Sequence, residues 1–184
     1  MTKGICLLFA TLAAVPVAVL AQGSPAPANP ISESEKRVYA MLGSVVIAAA
    51  EKMPEENYSF KPTPEVRSFG QLVGHLTDAQ YFFCSMASGE TKPTSDAEKT
   101  ITKKADLVAA LKDAVAYCNK TYAAMTDVKG SQMMKMMGFD MARLTVLAAN
   151  FAHDYEHYGN MVTYMRLKGI VPPTSEKSPS AAQD

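Results

Sequence analysis

The three histidines of this chain have the spacing of metal ligands. His153 and His157 are four residues apart, and His75 lies in a separate stretch with helical periodicity. Side chains four residues apart on a helix point to the same side, so one ion can bind both rings and accept a third ligand from a neighbouring helix. The sequence therefore predicts a metal site formed by His75, His153 and His157.

Three neutral imidazoles would leave coordination positions open, as in catalytic metal sites. A metal held in this way could lower the pKa of a bound water or hold a thiolate as a nucleophile. Either chemistry needs a group that moves protons, and the candidates are Asp78, Asp154, Glu156 and Tyr164. The simpler interpretation is that these side chains lie on a solvated helix face or orient an imidazole.

A methionine-rich segment offers a second kind of site. Thioether sulfurs are soft ligands that suit Cu(I), which makes a non-catalytic periplasmic copper-binding protein an alternative prediction. The simpler interpretation is that flexible methionine side chains fill one end of the fold. The methionines concerned are Met133, Met134, Met136, Met137 and Met141.

The N-terminal residues have the pattern of an export signal. Residues 1–21 begin with a positive charge at Lys3 and continue as an apolar run that is too short for a comfortable membrane span. We therefore expect an exported protein, periplasmic or secreted, with no stable membrane insertion after signal removal. Residues 22–31 are predicted to be a flexible leader, and residues 174–184 a disordered tail.

The charge balance excludes one class of partner. The chain has 18 basic and 18 acidic residues, and removal of Lys3 with the signal leaves 17 against 18, a charge of −1. Such a balance gives no electrostatic footprint for nucleic acid. Residues 32–173 are enough for one domain with a real core, and a homodimer through an exposed helix face is compatible with this size.

The elements that must position the histidines are predicted to be helices, because helical periodicity dominates and no segment alternates as a strand would. The first runs from a capping box at Ser32–Glu35 to Pro54, the second from a capping box at Ser68–Gln71 to Gly89, the third begins after Thr102, and the fourth runs from about Asp140 to Lys168.

The positions of two cysteines bear on whether the second and third helices are parallel or antiparallel. Cys84 and Cys118 each lie about 16 residues after the start of their helix, which is about 24 Å along each axis. A disulfide would require the two helices to be parallel, since an antiparallel pair would separate the thiols by well over ~10 Å. A disulfide and two unbonded, packed thiols both remain open.

Two stretches resemble a known family. The sequence HDYEHYGNM at 153–161, followed by GIVPP at 169–173, resembles the final helix of DinB-like proteins. The sequence SFGQLVGH at 68–75 resembles the segment that carries the first metal histidine of that family. The resemblance covers residues 32–173. It implies an up-down-down-up four-helix bundle with a crossover between helices 2 and 3, and a zinc, nickel or iron ion on His75, His153 and His157.

The resemblance leaves the reaction open. DinB-like proteins include thiol-dependent S-transferases and isomerases, as well as members with no known reaction. Export would separate this chain from the cytosolic thiol pool, which favours hydrolysis or simple metal binding. The prediction is a divalent-metal-binding, metal-dependent hydrolase of an unknown small molecule. A thiol-dependent S-transferase-like enzyme and a non-catalytic copper protein are the alternatives.

Overall fold

The computed structural model describes residues 27–176 and is predominantly helical, which confirms the all-α prediction. The predicted signal at 1–21 and most of the predicted leader and tail lie outside the described residues. The helices are α1 (Pro30–Lys52), α2 (Phe69–Ser88), α3 (Ala97–Thr100), α4 (Lys104–Ala123), α5 (Asp127–Gly130) and α6 (Arg143–Leu167). Two strands, β1 (Met133–Met136) and β2 (Phe139–Ala142), and 3-10 turns at Glu55–Asn57 and Pro173–Ser175 complete the description.

The four long helices pack in a closed arrangement in which α1 and α2 each contact both α4 and α6. Helices α2 and α4 are parallel, because Gly70 lies against Leu107 near the start of both helices while Cys84 and Cys118 meet near the end of both. The two cysteines form a buried disulfide with Cα atoms 5.3 Å apart. The disulfide is thus the alternative that the structure adopts.

The parallel pair gives the molecule two distinct ends. At one, which we call the disulfide end, the guanidinium of Arg143 at the start of α6 donates to the carbonyl of Ala87 near the end of α2, at 2.7 Å. At the other end, the hydroxyl of Tyr164 near the end of α6 donates to the carbonyl of Arg67 just before α2, at 2.9 Å. Both residues line a surface cleft, and we call this the cleft end. Helices α2 and α6 are therefore antiparallel.

The core consists of two apolar clusters with a polar layer between them. The cluster at the cleft end includes the buried side chains of Leu76, Leu107, Leu111, Met161 and Met165. The cluster at the disulfide end includes the disulfide together with Tyr39, Tyr122, Val146 and Leu147, and the two tyrosine rings stack at 4.0 Å. Both apolar clusters draw side chains from helices far apart in sequence, as expected of one cooperative core.

Gln80 is the centre of the polar layer. Its carbonyl oxygen accepts from the Tyr39 hydroxyl at 2.8 Å and from the Asn150 amide at 3.1 Å. Its amide nitrogen donates to Asp154 at 2.5 Å. Asp154 is fully buried, and burial raises the pKa of this carboxyl to about 8. The side chain is therefore neutral at pH 7, so the polar layer contains no buried charge at this position.

The predicted capping box at the start of the first helix is wrong. Helix α1 begins at Pro30, two residues inside the predicted leader, so Ser32 already has helical geometry. The first N–H groups of α1 instead donate to the carboxylate of Asp127, from Ile31 at 3.2 Å and from Ser32 at 2.8 Å. In return, the Asn29 side chain accepts from the Asp127 N–H at 3.0 Å. A long-range partner therefore replaces the local cap.

The prediction that the chain has no strand is also wrong. Strands β1 and β2 form an antiparallel hairpin with a two-residue turn at Met137 and Gly138, which have φ values of 52° and 89°. The last helix accordingly begins at Arg143 rather than near Asp140. The hairpin splits the methionine-rich segment, since Met136 is buried whereas Met133 and Met137 are exposed. Apolar residues on both faces remove the alternation by which a strand is recognised.

Candidate metal centre

The structure brings the three predicted histidines together. His75 is on the second turn of α2, and the capping box at Ser68 and Gln71, which is confirmed, fixes the start of that helix. His153 and His157 lie on successive turns of α6. The rings of His75 and His157 are 4.8 Å apart and those of His153 and His157 are 4.5 Å apart, measured between centroids.

The distances between the ring nitrogens fit a single ion. One nitrogen from each ring lies within 4.8 Å of the others, and Nε2 of His75 is 3.1 Å from Nε2 of His153. Ligands at ~2.1 Å from a tetrahedral ion are roughly 3.4 Å apart. The pair on His75 and His153 is slightly closer than that, and no pair is farther apart than 4.8 Å, so all three nitrogens lie near one common point.

A carboxylate fixes the ring of His75. Oε2 of Glu98 lies 2.8 Å from Nδ1 of His75. Because an ionised carboxylate only accepts, Nδ1 donates in this contact, and Nε2 is the nitrogen that faces His153. The pKa of Glu98 reflects this role. Partial burial opposes ionisation, but hydrogen bonds from Arg67 and His75 outweigh it and hold the pKa below its ordinary value.

Helix α3 delivers this carboxylate, and two residues of α2 hold α3 in place. The carboxylate of Asp78 accepts from the N–H groups of Ala97 at 2.9 Å and Glu98 at 3.1 Å, and also from the Ser95 hydroxyl. Gly74 lets the two backbones touch, since a Cβ there would lie 2.6 Å from the Cα of Glu98. The crossover between α2 and α4 is therefore part of the site.

The environment favours the neutral form of the two histidines on α6, His153 and His157. The pKa of His153 falls to about 4, first because the ring is buried and second because a proton on it would be repelled by His157, His75 and Arg67. Burial and the charge of His75 lower the pKa of His157 in the same way. Metal ligation requires unprotonated imidazole, so these rings are ready to bind an ion at neutral pH.

The other nitrogens of the α6 rings differ in their surroundings. The Asn160 amide lies 3.3 Å from Nδ1 of His157. A side-chain amide can donate to that nitrogen through its NH2 group or accept from it through its carbonyl oxygen. Nδ1 of His153 is buried and has no hydrogen-bond partner among residues 27–176. His75 is thus the ring whose orientation is most firmly set.

The four candidate proton carriers separate into two pairs. Asp78 caps α3 and Asp154 belongs to the polar layer, so neither carboxylate is directed at the histidines. Glu156 and Tyr164 line a cleft of about 620 Å³ that also includes His157. The hydroxyl of Tyr164 is a donor to Arg67, and burial raises its pKa, so it remains protonated at neutral pH.

Sequence reasoning missed two residues of this site. Glu98 lies between the predicted second and third helices, after Gly89 and before Thr102, and Arg67 lies between the predicted first and second helices. The one local signal was Ser95-Asp96-Ala97-Glu98, which has the S-x-x-E form that often begins a helix. Nothing local indicates that this helix would lie on His75.

Residues 41–161, about two thirds of the chain, match the DinB superfamily. The chain belongs to the DinB superfamily. No protein with a curated description matches it. None of the helices in the described part of the chain is both long and apolar enough to cross a membrane.

Solved structures of DinB-like proteins share this fold. One from Bacillus cereus is 15% identical, with a TM-score of 0.69 over 77% of this chain and 95% of its own. One from Bacillus subtilis is 18% identical, with a TM-score of 0.63 over 79% of this chain and 99% of its own. The mycothiol-dependent maleylpyruvate isomerase is 14% identical, with a TM-score of 0.57, and the match covers 71% of this chain and 59% of the isomerase.

Proposed function

We propose that this DinB protein binds one divalent transition-metal ion, zinc, nickel or iron, through His75, His153 and His157. The observation that carries the proposal is the convergence of three ring nitrogens within 4.8 Å. Imidazole nitrogen suits all three metals, and a set of three leaves at least one position open. The open position is expected to face the cleft, since His157 is on its wall.

Metal analysis of protein purified without a histidine tag tests this proposal. We expect close to one ion per chain in the wild type and strong depletion in His157→Ala. Tyr155→Ala is the matched control, because Tyr155 is on the same helix between the two ligands and is 63% exposed. Circular dichroism verifies that both variants remain helical. Equal metal content in the wild type and His157→Ala would refute the proposal.

For the reaction, we propose hydrolysis of a small polar molecule in the cleft. A divalent ion on three imidazoles supplies Lewis acidity and lowers the pKa of bound water. On the protein side, Glu156 is an exposed carboxylate available to accept a proton, while the Tyr164 hydroxyl holds the backbone of Arg67 at the wall of the cleft. Ester and phosphoester panels, assayed with metal-loaded wild type and with Glu156→Gln, test this role. If the metal-loaded wild type turns over none of these substrates, hydrolysis is refuted and only the proposed metal binding remains.

A thiol-dependent reaction is the second candidate, because the mycothiol-dependent isomerase shares the fold. It predicts that turnover by the metal-loaded protein requires an added low-molecular-weight thiol, whereas hydrolysis does not. Measuring substrate loss with and without cysteine or glutathione separates the two.

The copper alternative has weaker support, because the hairpin places Met133 and Met137 in solvent and Met136 in the core. Copper spectra that persist in His75→Ala and vanish when these methionines are replaced would favour it.

Export remains part of the proposal. The pattern of residues 1–21 supports it, and so does the Cys84–Cys118 disulfide, since such bonds persist in oxidising compartments. Cell fractionation with mass analysis of the mature N-terminus tests it, and cleavage after Ala21 is the expected result.

A further inference from the structure

Arg67 has an unusual status among the four arginines of this chain. The guanidinium of Arg143 donates through Nη1 to a backbone carbonyl, and that of Arg166 donates through Nη2 to Ser175. Nη2 of Arg37 faces the carboxylate of Glu33 at 3.8 Å. Within residues 27–176, only Arg67 leaves both Nη groups without a protein partner.

The guanidinium of Arg67 is nevertheless fixed in place. Its Nε donates to Oε1 of Glu98 at 2.7 Å, and its backbone carbonyl accepts from Tyr164. The side chain is 41% exposed and lies on the wall of the cleft. A guanidinium held through Nε presents its two Nη groups as a pair, which is the geometry that binds a carboxylate with two parallel hydrogen bonds.

Glu98 connects this cation to the three histidines. Its Oε1 holds Arg67 and its Oε2 holds His75, so one carboxylate sets the separation between the guanidinium and the site. Lys61 lines the same cleft, and so do Glu65 and Glu156. With a divalent ion bound, two cationic side chains and the ion face three carboxylates, which leaves a net formal charge of +1.

We propose that Arg67 binds a carboxylate of the substrate at the open side of the three-histidine site, so that the protein acts on small carboxylate-bearing molecules. The claim that the protein acts on such molecules at the three-histidine site rests on the proposed function. The binding of a carboxylate by Arg67 does not rest on it, because Glu98 holds the guanidinium and Tyr164 holds the backbone carbonyl of Arg67 without a metal.

Acetate and linear dicarboxylates from malonate to glutarate are the probes. In metal-free wild type, acetate should shift the NMR resonance of the Arg67 Nε–H group. In zinc-loaded wild type, calorimetry should show one dicarboxylate that binds at least tenfold more tightly than acetate, because it can reach both the ion and Arg67. Arg67→Gln should remove most of that advantage, since a bidentate charged contact contributes roughly tenfold to a hundredfold.

Arg166→Gln is the matched control, because it removes the same charge from an arginine outside the cleft. It should bind the probes as the wild type does. If Arg67→Gln retains the wild-type preference for a dicarboxylate, or if acetate leaves the Arg67 resonance unmoved in the metal-free protein, the inference is wrong. A wild type that holds no zinc but shows the acetate shift would refute the proposed function and support the inference. If Arg67→Gln fails to bind zinc, the dicarboxylate comparison is not possible. The acetate shift of the Arg67 resonance in metal-free wild type then decides whether Arg67 binds a carboxylate.

Discussion

Glu98 shows how much a single side chain can contribute to this site. One oxygen orients His75 and the other holds Arg67. We expect Glu98→Gln to weaken zinc affinity by roughly tenfold to a hundredfold, because the carboxylate both fixes the ring and raises its basicity. Competition with a chromophoric chelator measures the effect. Glu33→Gln, which is outside the site, is the control, and equal affinities in the two variants would contradict the assigned role.

The raised pKa of Asp154 predicts how the stability of the protein depends on pH. Its pKa is about 8 in the folded protein against 3.8 ordinarily, so between these values the folded state holds a proton that the unfolded state has released. The stability from this group is complete below pH 3.8 and is lost as pH rises through 8. Asp154→Asn cannot lose that proton.

From pH 5 to pH 9, the free energy of unfolding of Asp154→Asn should therefore rise relative to wild type by about 2 to 4 kcal/mol. Urea denaturation of metal-free protein at both pH values measures it. The lowered pKa of His153 makes stability fall as pH drops from 6.5 towards 4, but this contribution is common to both proteins and cancels. A difference that is independent of pH would mean that Asp154 is ionised in the core.

At the residue scale, the sequence was sufficient for the three histidines and insufficient for what surrounds them. A four-residue spacing on a helix determines which side chains share a face, so His153 and His157 could be paired without coordinates. The partner of His75 could not be found in this way, because Glu98 is 23 residues away and reaches the ring through tertiary packing.

At the scale of elements, the contact between α2 and α3 depends on the absence of a side chain at Gly74. A Cβ there would lie 2.6 to 2.8 Å from backbone atoms of Ala97 and Glu98, which cannot move away singly. We expect Gly74→Ala to lower the free energy of unfolding by about 1 to 3 kcal/mol and to weaken zinc binding, because α3 must shift. Thermal unfolding and chelator competition measure the two effects.

Gly159→Ala is the matched control for that substitution. Gly159 is also in a long helix, but a Cβ there meets nothing within 4 Å. Its replacement should be neutral or stabilise the protein by about 0.5 to 1 kcal/mol, because alanine favours the helix. If both substitutions had the same effect, close packing at Gly74 would not be the cause.

The elements were predictable where the sequence pattern was local. The capping box at Ser68 and Gln71 was confirmed, because both partners are within one turn. The start of α1 was not predictable, since its cap is Asp127, nearly a hundred residues away. The hairpin was missed because Met133 and Ala142 place apolar side chains on the same face as Lys135 and Asp140, which breaks the period of two that identifies a strand.

At the scale of the whole molecule, the Cys84–Cys118 disulfide joins the two parallel helices. It closes a loop with a sequence separation of 34 residues. Replacing both cysteines with alanine should lower the free energy of unfolding by roughly 3 to 4 kcal/mol, most of it through the entropy of the unfolded chain. Chemical denaturation measures the change. The helices that carry the histidines are also joined by packing, so the double variant should still bind zinc, and its failure to do so would make the disulfide part of the site.

The described part of the chain begins and ends at opposite ends of the molecule, which determines where a tether or tag should be attached. Helix α1 starts at the disulfide end beside Asp127, whereas Glu176 pairs with Lys52 at the other end of α1. A bead, a surface or a fusion partner linked through residues that precede α1 would leave the cleft facing outwards. A polyhistidine extension on the C-terminal side would instead follow Glu176, and its imidazoles could compete with the three rings for the same ion.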